Sequence, residues 1–337
     1  MDQQVITGLL SYGMSGKIFH APYLLHHPGF QLKAVTERSK KLASKDYPGI
    51  ISYDTVSAML NDPEIELVIV NTPNNTHAEF ARQALKAGKH VLVEKPFAIS
   101  SGEAKEVFDL SRKLGRKVMV YQNRRFSSDF LSLKNVINSG KLGDIIEVHL
   151  RYDRYRNFIG PKIFKETPIA GSGIFYDLGA HLIDQAISLF GNPASSFKTL
   201  GKYRKDSQVD DYAHLHLVFP GELNVFITVS MLVAAPLPGI TVHGTKGSYI
   251  KELCDTQEDQ LLSGMSPADE AFGEEHPGKE GLLTIINSES EKNVELIPSL
   301  KGDYGVLFEA VYQTIRNDAL FPITEEQIMQ QLKLLES

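Results

Sequence analysis

The chain has one cysteine, no tryptophan and no excess of basic residues. Because Cys254 stands alone, the sequence offers neither a disulfide within the chain nor a thiolate cluster for zinc, and a reducing cytoplasm is the expected location. The 35 Lys and Arg residues are outnumbered by 41 Asp and Glu residues, which gives a formal net charge of −6. This balance argues against a surface that binds nucleic acid or an anionic membrane.

Long apolar runs are also missing. No stretch approaches the ~20 apolar residues that span a bilayer. Residues 1–8 lack the basic segment and the following apolar run of a signal peptide. We therefore expect neither a membrane anchor nor a signal peptide.

The overall composition is ordinary for a globular enzyme, with 42% hydrophobic and 23% charged residues. A chain of 337 residues exceeds one typical domain. Two domains with separate cores are therefore expected.

Residues 1–122 alternate short apolar runs with helix-like segments. The pattern predicts strands over 5–10, 31–35, 65–70, 91–93 and 118–121, and helices over 16–25, 56–60, 77–87 and 101–114. The run over 65–70 is almost continuously apolar, which is typical of a parallel strand covered on both faces. Repeated β-α-β of this kind predicts an α/β domain with a doubly wound parallel sheet, a Rossmann fold.

Residues 123–337 follow a different pattern. Apolar and polar residues alternate over 145–152, 212–219, 223–233, 239–243 and 248–251, and strand character returns over 282–286 and 293–297. Helices are predicted over 130–139, 309–316 and 325–335, and the acidic, Gly-, Pro- and Ser-rich stretch 254–281 is predicted to be a long surface loop. Alternation is typical of antiparallel strands with one exposed face. The second domain is therefore predicted to be α+β, with a large, mainly antiparallel sheet.

A lysine stands at the end of the apolar strand over 91–93. Lys95 is held between Glu94 and Pro96, and the carboxyl ends of strands are where α/β sheets bind ligands. The alternative is that Glu94 and Lys95 are ordinary solvated charges. Lys95 is the first candidate for chemistry.

The first strand is followed by a glycine-containing turn. The dinucleotide fingerprint has glycines at its first, third and sixth places, and Ser11, Gly13 and Gly16 fall there. Ser11 replaces the first glycine, and its hydroxyl is suited to meet a phosphate. The turn lies between the first strand and the first helix of a β-α-β unit, which favours a dinucleotide site over an ordinary turn.

The end of the second strand bears on the choice of cofactor. Glu37, as an acid binding the ribose 2′-hydroxyl, favours NAD. Arg38, with the hydroxyl of Thr36 or Ser39, favours the 2′-phosphate of NADP. If Glu37 points to solvent, NADP is the expected cofactor; Arg38 as a plain surface charge is the remaining alternative.

Five motifs in order resemble the Gfo/Idh/MocA family of oxidoreductases over nearly the whole chain. They are Tyr12-Gly-Met-Ser-Gly16 with Phe19-His-Ala-Pro22, Asn71-Thr-Pro-Asn-Asn-Thr-His77, Glu94-Lys-Pro96, Tyr121-Gln-Asn-Arg-Arg125, and Gly173-Ile-Phe-Tyr-Asp-Leu-Gly-Ala-His-Leu-Ile-Asp184. Within the family, Asn123-Arg-Arg125 and Asp153-Arg-Tyr-Arg156 are most similar to the NADP-dependent scyllo-inositol dehydrogenase branch.

The resemblance implies where the cofactor and substrate bind. The cofactor-binding residues it implies are Ser11, Tyr12, Gly13, Met14, Ser15, Gly16, Thr36, Glu37, Arg38, Asn71, Thr72, Pro73, Asn74, His77, Glu94, Lys95, Pro96 and Asn123. The substrate-binding residues are Lys95, Asn123, Arg124, Tyr155, Arg156, Asp177 and His181. Arg125 and Arg154 are as well suited to structural ion pairs as to substrate binding.

The resemblance also implies a catalytic set of Lys95, Asp177 and His181. Asp177 and His181 are four residues apart and would share one face of a helix. They would also suit half of a metal site, but no further His or Cys cluster completes it, so no metal is expected. An imidazole titrates near neutrality (~6.5), which suits His181 to acid/base work, while the Lys95 ammonium is suited to bind the substrate oxygen. The two side chains could also share the proton.

The expected activity is transfer of a hydride between nicotinamide and a secondary alcohol or ketone of a cyclic polyol or sugar, with NADP(H) preferred and NAD(H) possible. Two alternatives stay open: a non-catalytic NAD(P)-sensing regulator of the same fold, and a dehydrogenase of dihydrodiol-type or tetrapyrrole substrates. The resemblance further implies a homodimer or homotetramer, with residues 123–337 serving substrate binding and oligomerisation.

Overall fold

The computed structural model describes residues 3–161 and 163–336. They form two compact units. The first holds the residues up to Asn123 together with Glu258–Phe272 and Tyr304–Met329. The second holds Arg124–Gln257, Gly273–Asp303 and the residues from Gln330 onward.

The first unit is built on a six-stranded parallel sheet. Its strands are β1 (Val5–Leu9), β2 (Phe30–Thr36), β3 (Ile51–Tyr53), β4 (Leu67–Val70), β5 (His90–Glu94) and β6 (Val118–Tyr121). They lie in the order β3-β2-β1-β4-β5-β6, and every neighbouring pair is parallel. All four residues of β4 are buried, as predicted for a strand covered on both faces. The doubly wound α/β fold is confirmed.

Helices connect these strands. They are α1 (Ala21–His26), α2 (Ala43–Asp46), α3 (Val56–Leu60), α4 (His77–Lys86) and α5 (Ser101–Leu114). The helix predicted over 16–25 is instead a π-helical stretch, Ser15–His20, that runs into α1, with Pro22 in the first turn of α1. Proline has no N–H, so the regular α-helical ladder cannot continue through it. The short elements β3 and α2 were not predicted, because three or four residues carry too little periodicity.

The second unit contains an eight-stranded sheet. Its strands are β7 (Ile145–Asp153), β8 (Ser195–Gly201), β9 (Tyr212–Val218), β10 (Asn224–Ser230), β11 (Ile240–Gly244), β12 (Gly247–Lys251), β13 (Gly281–Ile286) and β14 (Lys292–Ile297). Their order is β14-β13-β12-β11-β7-β10-β9-β8. Only the β7–β10 pair is parallel. The predicted α+β class with a large, mainly antiparallel sheet is confirmed.

Six further helices complete the described chain. They are α6 (Ser128–Asn138), α7 (Ile163–Glu166), α8 (Ala180–Phe190), α9 (Thr256–Leu262), α10 (Gly305–Arg316) and α11 (Glu325–Glu336). A second π-helical stretch, Phe175–Gly179, leads directly into α8.

The prediction of a long surface loop over 254–281 is wrong in part. This stretch contains α9, and Phe272 is buried with its ring 6.1 Å from that of Tyr23. The acidic, glycine-rich composition concealed these apolar anchors. The segment therefore contributes to the first unit, whereas the sequence assigned all residues after 122 to the second domain. Helix α10 does the same, since Phe308 stacks on Tyr23 with ring centroids 5.4 Å apart.

Candidate active site

The turn after β1 is tied to the end of β4 by one side chain. The Ser11 N–H donates to Asn71 Oδ1 at 2.9 Å, and Asn71 Nδ2 donates back to the Ser11 carbonyl at 2.8 Å. Strands β1 and β4 lie side by side where the strand order reverses. That position is the place where doubly wound sheets bind nucleotides.

The glycine pattern of this turn has distinct physical reasons. A Cβ on Gly16 would lie 2.2 Å from the Ser11 carbonyl oxygen, so no other residue fits there. A Cβ on Gly13 would meet only Ser11 Oγ at 3.5 Å, which leaves its backbone open to a ligand. Ser11 takes the place of the first glycine and its hydroxyl accepts from the Gly13 N–H at 3.2 Å. The turn therefore keeps the close backbone approach that a pyrophosphate needs.

Other residues of the turn are held from outside it. Tyr12 is buried and its hydroxyl donates to Asp46 at 2.9 Å. Burial and that hydrogen bond raise the pKa of Tyr12. Met14 is exposed. Ser15 donates to Glu94 Oε1 at 2.6 Å.

The carboxylate at the end of β2 points into the protein. Glu37 accepts hydrogen bonds from the backbone of Leu42 and Ala43, at 2.8 and 3.1 Å, and from Ser52 Oγ at 2.8 Å. It therefore holds the start of α2 and is committed to structure. The sequence weighed Glu37 as a ribose ligand or as a solvent-facing charge, and the structure places it in neither position.

The residues beside Glu37 are only partly placed as a 2′-phosphate site would require. The Thr36 hydroxyl is buried and donates to Met59 Sδ at 3.6 Å, so it is not presented to a phosphate. Arg38 and Ser39 are exposed. Of the groups that the sequence offered for a 2′-phosphate, those of Arg38 and Ser39 therefore remain accessible.

A buried network joins the phosphate turn to the strand that carries Lys95. Glu94 Oε1 lies 2.9 Å from His20 Nε2 and accepts from Ser15, and Glu94 Oε2 accepts from the Lys95 N–H at 3.2 Å. Burial raises the pKa of Glu94, but the hydrogen bonds from His20 and Ser15 outweigh it and hold the pKa below its usual value. Glu94 is therefore an anion that fixes the backbone at Lys95.

His20 was not among the site residues predicted from the sequence. It is fully buried and packs on Tyr121 with ring centroids 4.5 Å apart. Its only signal was its place in the motif Phe19-His-Ala-Pro22. Lys95 itself is half-buried at the end of β5.

The residues after β4 form a compact turn at the start of α4. The Thr72 and Thr76 hydroxyls are 2.6 Å apart, and the Thr76 hydroxyl donates to the Pro73 carbonyl. His77 is buried, with its ring nitrogens each 2.8 Å from the carbonyl oxygens of Pro96 and Thr72. Burial lowers the pKa of His77. His77 thus links this turn to the segment after Lys95, while Asn74 opens a short 3₁₀ turn.

In the second unit, Asp177 and His181 lie on consecutive helical stretches. Asp177 is in the π-helical segment and is about a quarter exposed, and His181 is in the first turn of α8 and nearly buried. Lys165 of α7 donates to Asp177 Oδ1 at 2.6 Å. No pattern in the sequence predicted a role for Lys165.

A cavity of about 570 Å³ lies in the same unit. Its polar lining includes Arg124, Arg151, Asp153, His181, Gln185 and Asp255. Arg124 forms an ion pair with Asp255. Gln185 follows His181 by four residues on α8, so the two share a helix face. The sequence proposed Arg124 and His181. It missed Gln185, which lies one residue beyond the last motif, and Asp255, which lies in the stretch predicted as a loop.

Of the other candidates, Arg154 also lines the cavity, whereas Asp177, Arg125, Tyr155, Arg156 and Asn123 do not. Arg125 forms a buried bidentate pair with Asp184, with both N···O distances 2.7 Å, and is a structural residue. Arg154 lies over the Tyr152 ring, 4.8 Å from its centroid, and lines the cavity. Tyr155 is 61% exposed, and neither it nor Arg156 lines the cavity. Asn123 is buried in a 3₁₀ turn at the end of the first unit.

Across residues 3–161 and 163–336, no group of three or more His, Cys, Asp and Glu side chains is placed to hold a metal ion. No helix in that part of the chain is long and apolar enough to cross a membrane.

A phosphate turn at the switch point of a doubly wound sheet defines a dinucleotide-binding protein of the Rossmann class. Two family models match this chain: an oxidoreductase family with an NAD-binding Rossmann fold, over residues 5–122, and the GFO/IDH/MocA C-terminal domain, over residues 130–250.

Individual proteins give the same assignment. The chain is 35% identical over 332 residues to scyllo-inositol 2-dehydrogenase (NADP(+)) IolW of Bacillus subtilis, covering 98% of this chain and 92% of that one. It is 36% identical over 336 residues to the uncharacterized oxidoreductase YdgJ of Escherichia coli, covering 100% and 96%. The solved structure of yvaA from Bacillus subtilis matches with a TM-score of 0.94 at 33% identity, covering 100% and 95%. The chain belongs to the Gfo/Idh/MocA family of oxidoreductases.

The two glycines of the turn provide a matched test. We expect Gly16→Ala to lower both thermal stability and NADPH affinity, because its Cβ would collide with the Ser11 carbonyl. Gly13→Ala should fold normally, because its Cβ has room, but should lose about tenfold or more in NADPH affinity by obstructing the pyrophosphate. Thermal denaturation and fluorescence titration with NADPH measure the two effects. Undiminished NADPH affinity in both variants would contradict the placement of the cofactor.

Proposed function

We propose that the protein is an NADP(H)-preferring oxidoreductase that interconverts a secondary hydroxyl of a cyclic polyol or sugar with its ketone. The observation that carries the proposal is the cavity of the second unit, whose lining contains His181, Arg124, Gln185 and Asp255. Donors and acceptors in one cavity suit a substrate with several hydroxyl groups. The name of the relative IolW, a scyllo-inositol 2-dehydrogenase that uses NADP, supports the same class.

The residues of the first unit fit a nicotinamide dinucleotide. The open backbone at Gly13 and the tight approach at Gly16 suit a pyrophosphate. When bound, the nicotinamide supplies the hydride acceptor or donor. The preference for NADP is inferred from Glu37, which is committed to α2, and from the exposed Arg38, whose guanidinium is suited to a 2′-phosphate.

The chemistry assigned to the side chains follows from their types. Oxidation of an alcohol requires a group that takes the hydroxyl proton and one that stabilises the charge developing on oxygen. We assign the first role to His181 and the second to the Lys95 ammonium. Asp177 holds the substrate through a hydroxyl group. Glu94 fixes the Lys95 backbone through its hydrogen bond from the Lys95 N–H.

The proposal is tested by turnover. We expect the purified protein to oxidise NADPH in the presence of a keto-inositol or a related keto-sugar, followed as loss of NADPH absorbance. The panel should contain several inositols and aldoses in the reverse direction and both NADP and NAD. Absence of turnover across the whole panel with either cofactor would refute the proposal.

Lys95→Ala separates an enzyme from a regulator in the same assay. An enzyme that uses Lys95 as the oxygen partner should lose roughly 100-fold or more in kcat while keeping its affinity for NADPH. Lys113→Ala, which removes an exposed charge from α5, is the matched control and should leave both unchanged.

Cofactor preference is tested at Arg38. We expect Arg38→Leu to raise KM for NADP roughly 10- to 100-fold and to leave KM for NAD nearly unchanged, since a charge-assisted hydrogen bond contributes about 1.5–3 kcal/mol. Steady-state kinetics with each cofactor provide the measurement, with Lys113→Leu as control. Equal loss with both cofactors would show that Arg38 does not read the 2′-phosphate.

A further inference from the structure

The strongest unassigned feature beside the candidate residues is the lysine that meets Asp177. Lys165 Nζ lies 2.6 Å from Asp177 Oδ1, and both side chains are only about one-third exposed. An ordinary surface ion pair contributes little and is not held in place. This pair differs, because hydrogen bonds hold the residue next to Lys165 and the backbone that leads to Asp177.

The anchor on the lysine side is a buried arginine. Arg204 Nη2 donates to Glu166 Oε2 at 2.7 Å, and Arg204 Nη1 donates to the Phe158 carbonyl at 3.0 Å. Glu166 Oε1 also accepts from the Gly160 N–H at 3.0 Å. Arg204 is in turn held by Asp211, through its backbone N–H at 2.8 Å and its Nε at 3.2 Å. The residue next to Lys165 is therefore fixed by a buried ion-pair network.

The anchor on the aspartate side is the residue adjacent to Asp211. Asp210 Oδ2 accepts from the Phe175 N–H at 2.8 Å, and the Asp210 carbonyl accepts from the Ile174 N–H at 3.0 Å. These bonds hold the start of the π-helical stretch that carries Asp177. A Cβ on Gly173 would lie 1.9 Å from Asp210 Oδ1, so the chain approaches Asp210 as closely as only glycine allows.

Asp210 and Asp211 thus hold Asp177 and the neighbour of Lys165 from one dipeptide. The backbone that carries each of the two side chains is therefore held before any ligand arrives, which lowers the entropy cost of binding one. An ammonium donates only and a carboxylate accepts only. A hydroxyl group is the ligand that satisfies both, since its oxygen accepts from Lys165 and its hydrogen is donated to Asp177.

We propose that Lys165 is a substrate-binding residue, which together with Asp177 grips one hydroxyl of the polyol. The inference rests on the proposed function and adds a specificity-determining contact that the family motifs do not include. It makes the enzyme selective for a substrate that carries a hydroxyl at the gripped position, in addition to the hydroxyl that is oxidised.

The test is a set of three variants assayed with the substrate that the wild type turns over best. Lys165→Met should raise KM for that substrate roughly 10- to 100-fold, with a smaller change in kcat and no change in NADPH affinity. Lys165→Arg keeps the charge and the donors and should recover most of the loss. Lys205→Met removes an exposed charge from the same unit and should behave as wild type.

Deoxy analogues locate the contact. The penalty of Lys165→Met should disappear for the analogue that lacks the gripped hydroxyl and persist for the others. A wild-type KM in Lys165→Met, a fall in kcat alone, or an equal loss of NADPH affinity would overturn the proposal while leaving the proposed function intact. Absence of polyol turnover by the wild type would overturn both.

Discussion

The interaction on which the nucleotide site depends is the two-way hydrogen bond between the Asn71 side chain and the Ser11 backbone. It joins the ends of β1 and β4, the two strands between which the order of the sheet reverses. Its two bonds satisfy both backbone groups of Ser11, so the turn can leave the strand without orphaned polar atoms. Gly16 then passes so close to the Ser11 carbonyl that a side chain is excluded.

Glu94 extends this constraint from the phosphate turn to the candidate lysine. One carboxylate accepts from Ser15 of the turn, contacts the buried His20 and accepts from the backbone of Lys95. The position of the lysine is thereby coupled to the turn that receives the cofactor. In the second unit the equivalent task falls to Asp210 and Asp211, which hold the helical stretch of Asp177 and, through Arg204, Glu166 of α7 next to Lys165.

The features that sequence predicts well here are local ones. Most of the strands and the glycine turn followed from periodicity and from the spacing of Ser11, Gly13 and Gly16, because backbone sterics determine them within a few residues; β3 and β8 were not predicted. The outcome at Glu37 did not follow, since it depends on two N–H groups of α2 and on Ser52, fifteen residues away. Helix α9 and the burial of Phe272 were also missed, because an acidic, glycine-rich composition resembles a loop unless its few apolar anchors have a known partner.

The candidate site shows the same division. The family motifs supplied Lys95, Asp177 and His181. Lys165 gave no signal, since Asp177 is brought near it only by tertiary structure, and Gln185 lies one residue beyond the last motif. Arg125 shows the converse: it lies within a motif, yet its guanidinium forms a bidentate pair with buried Asp184. A charged residue in a motif can therefore serve the fold.

The proposed reaction is hydride transfer between the secondary alcohol carbon of a polyol and nicotinamide. The most direct measurement uses a polyol deuterated at the oxidised carbon, with mass analysis of the reduced cofactor. Direct hydride transfer predicts that the deuterium appears on the nicotinamide ring of NADPH. Recovery of the label in solvent, or a reduced cofactor without deuterium, would contradict it.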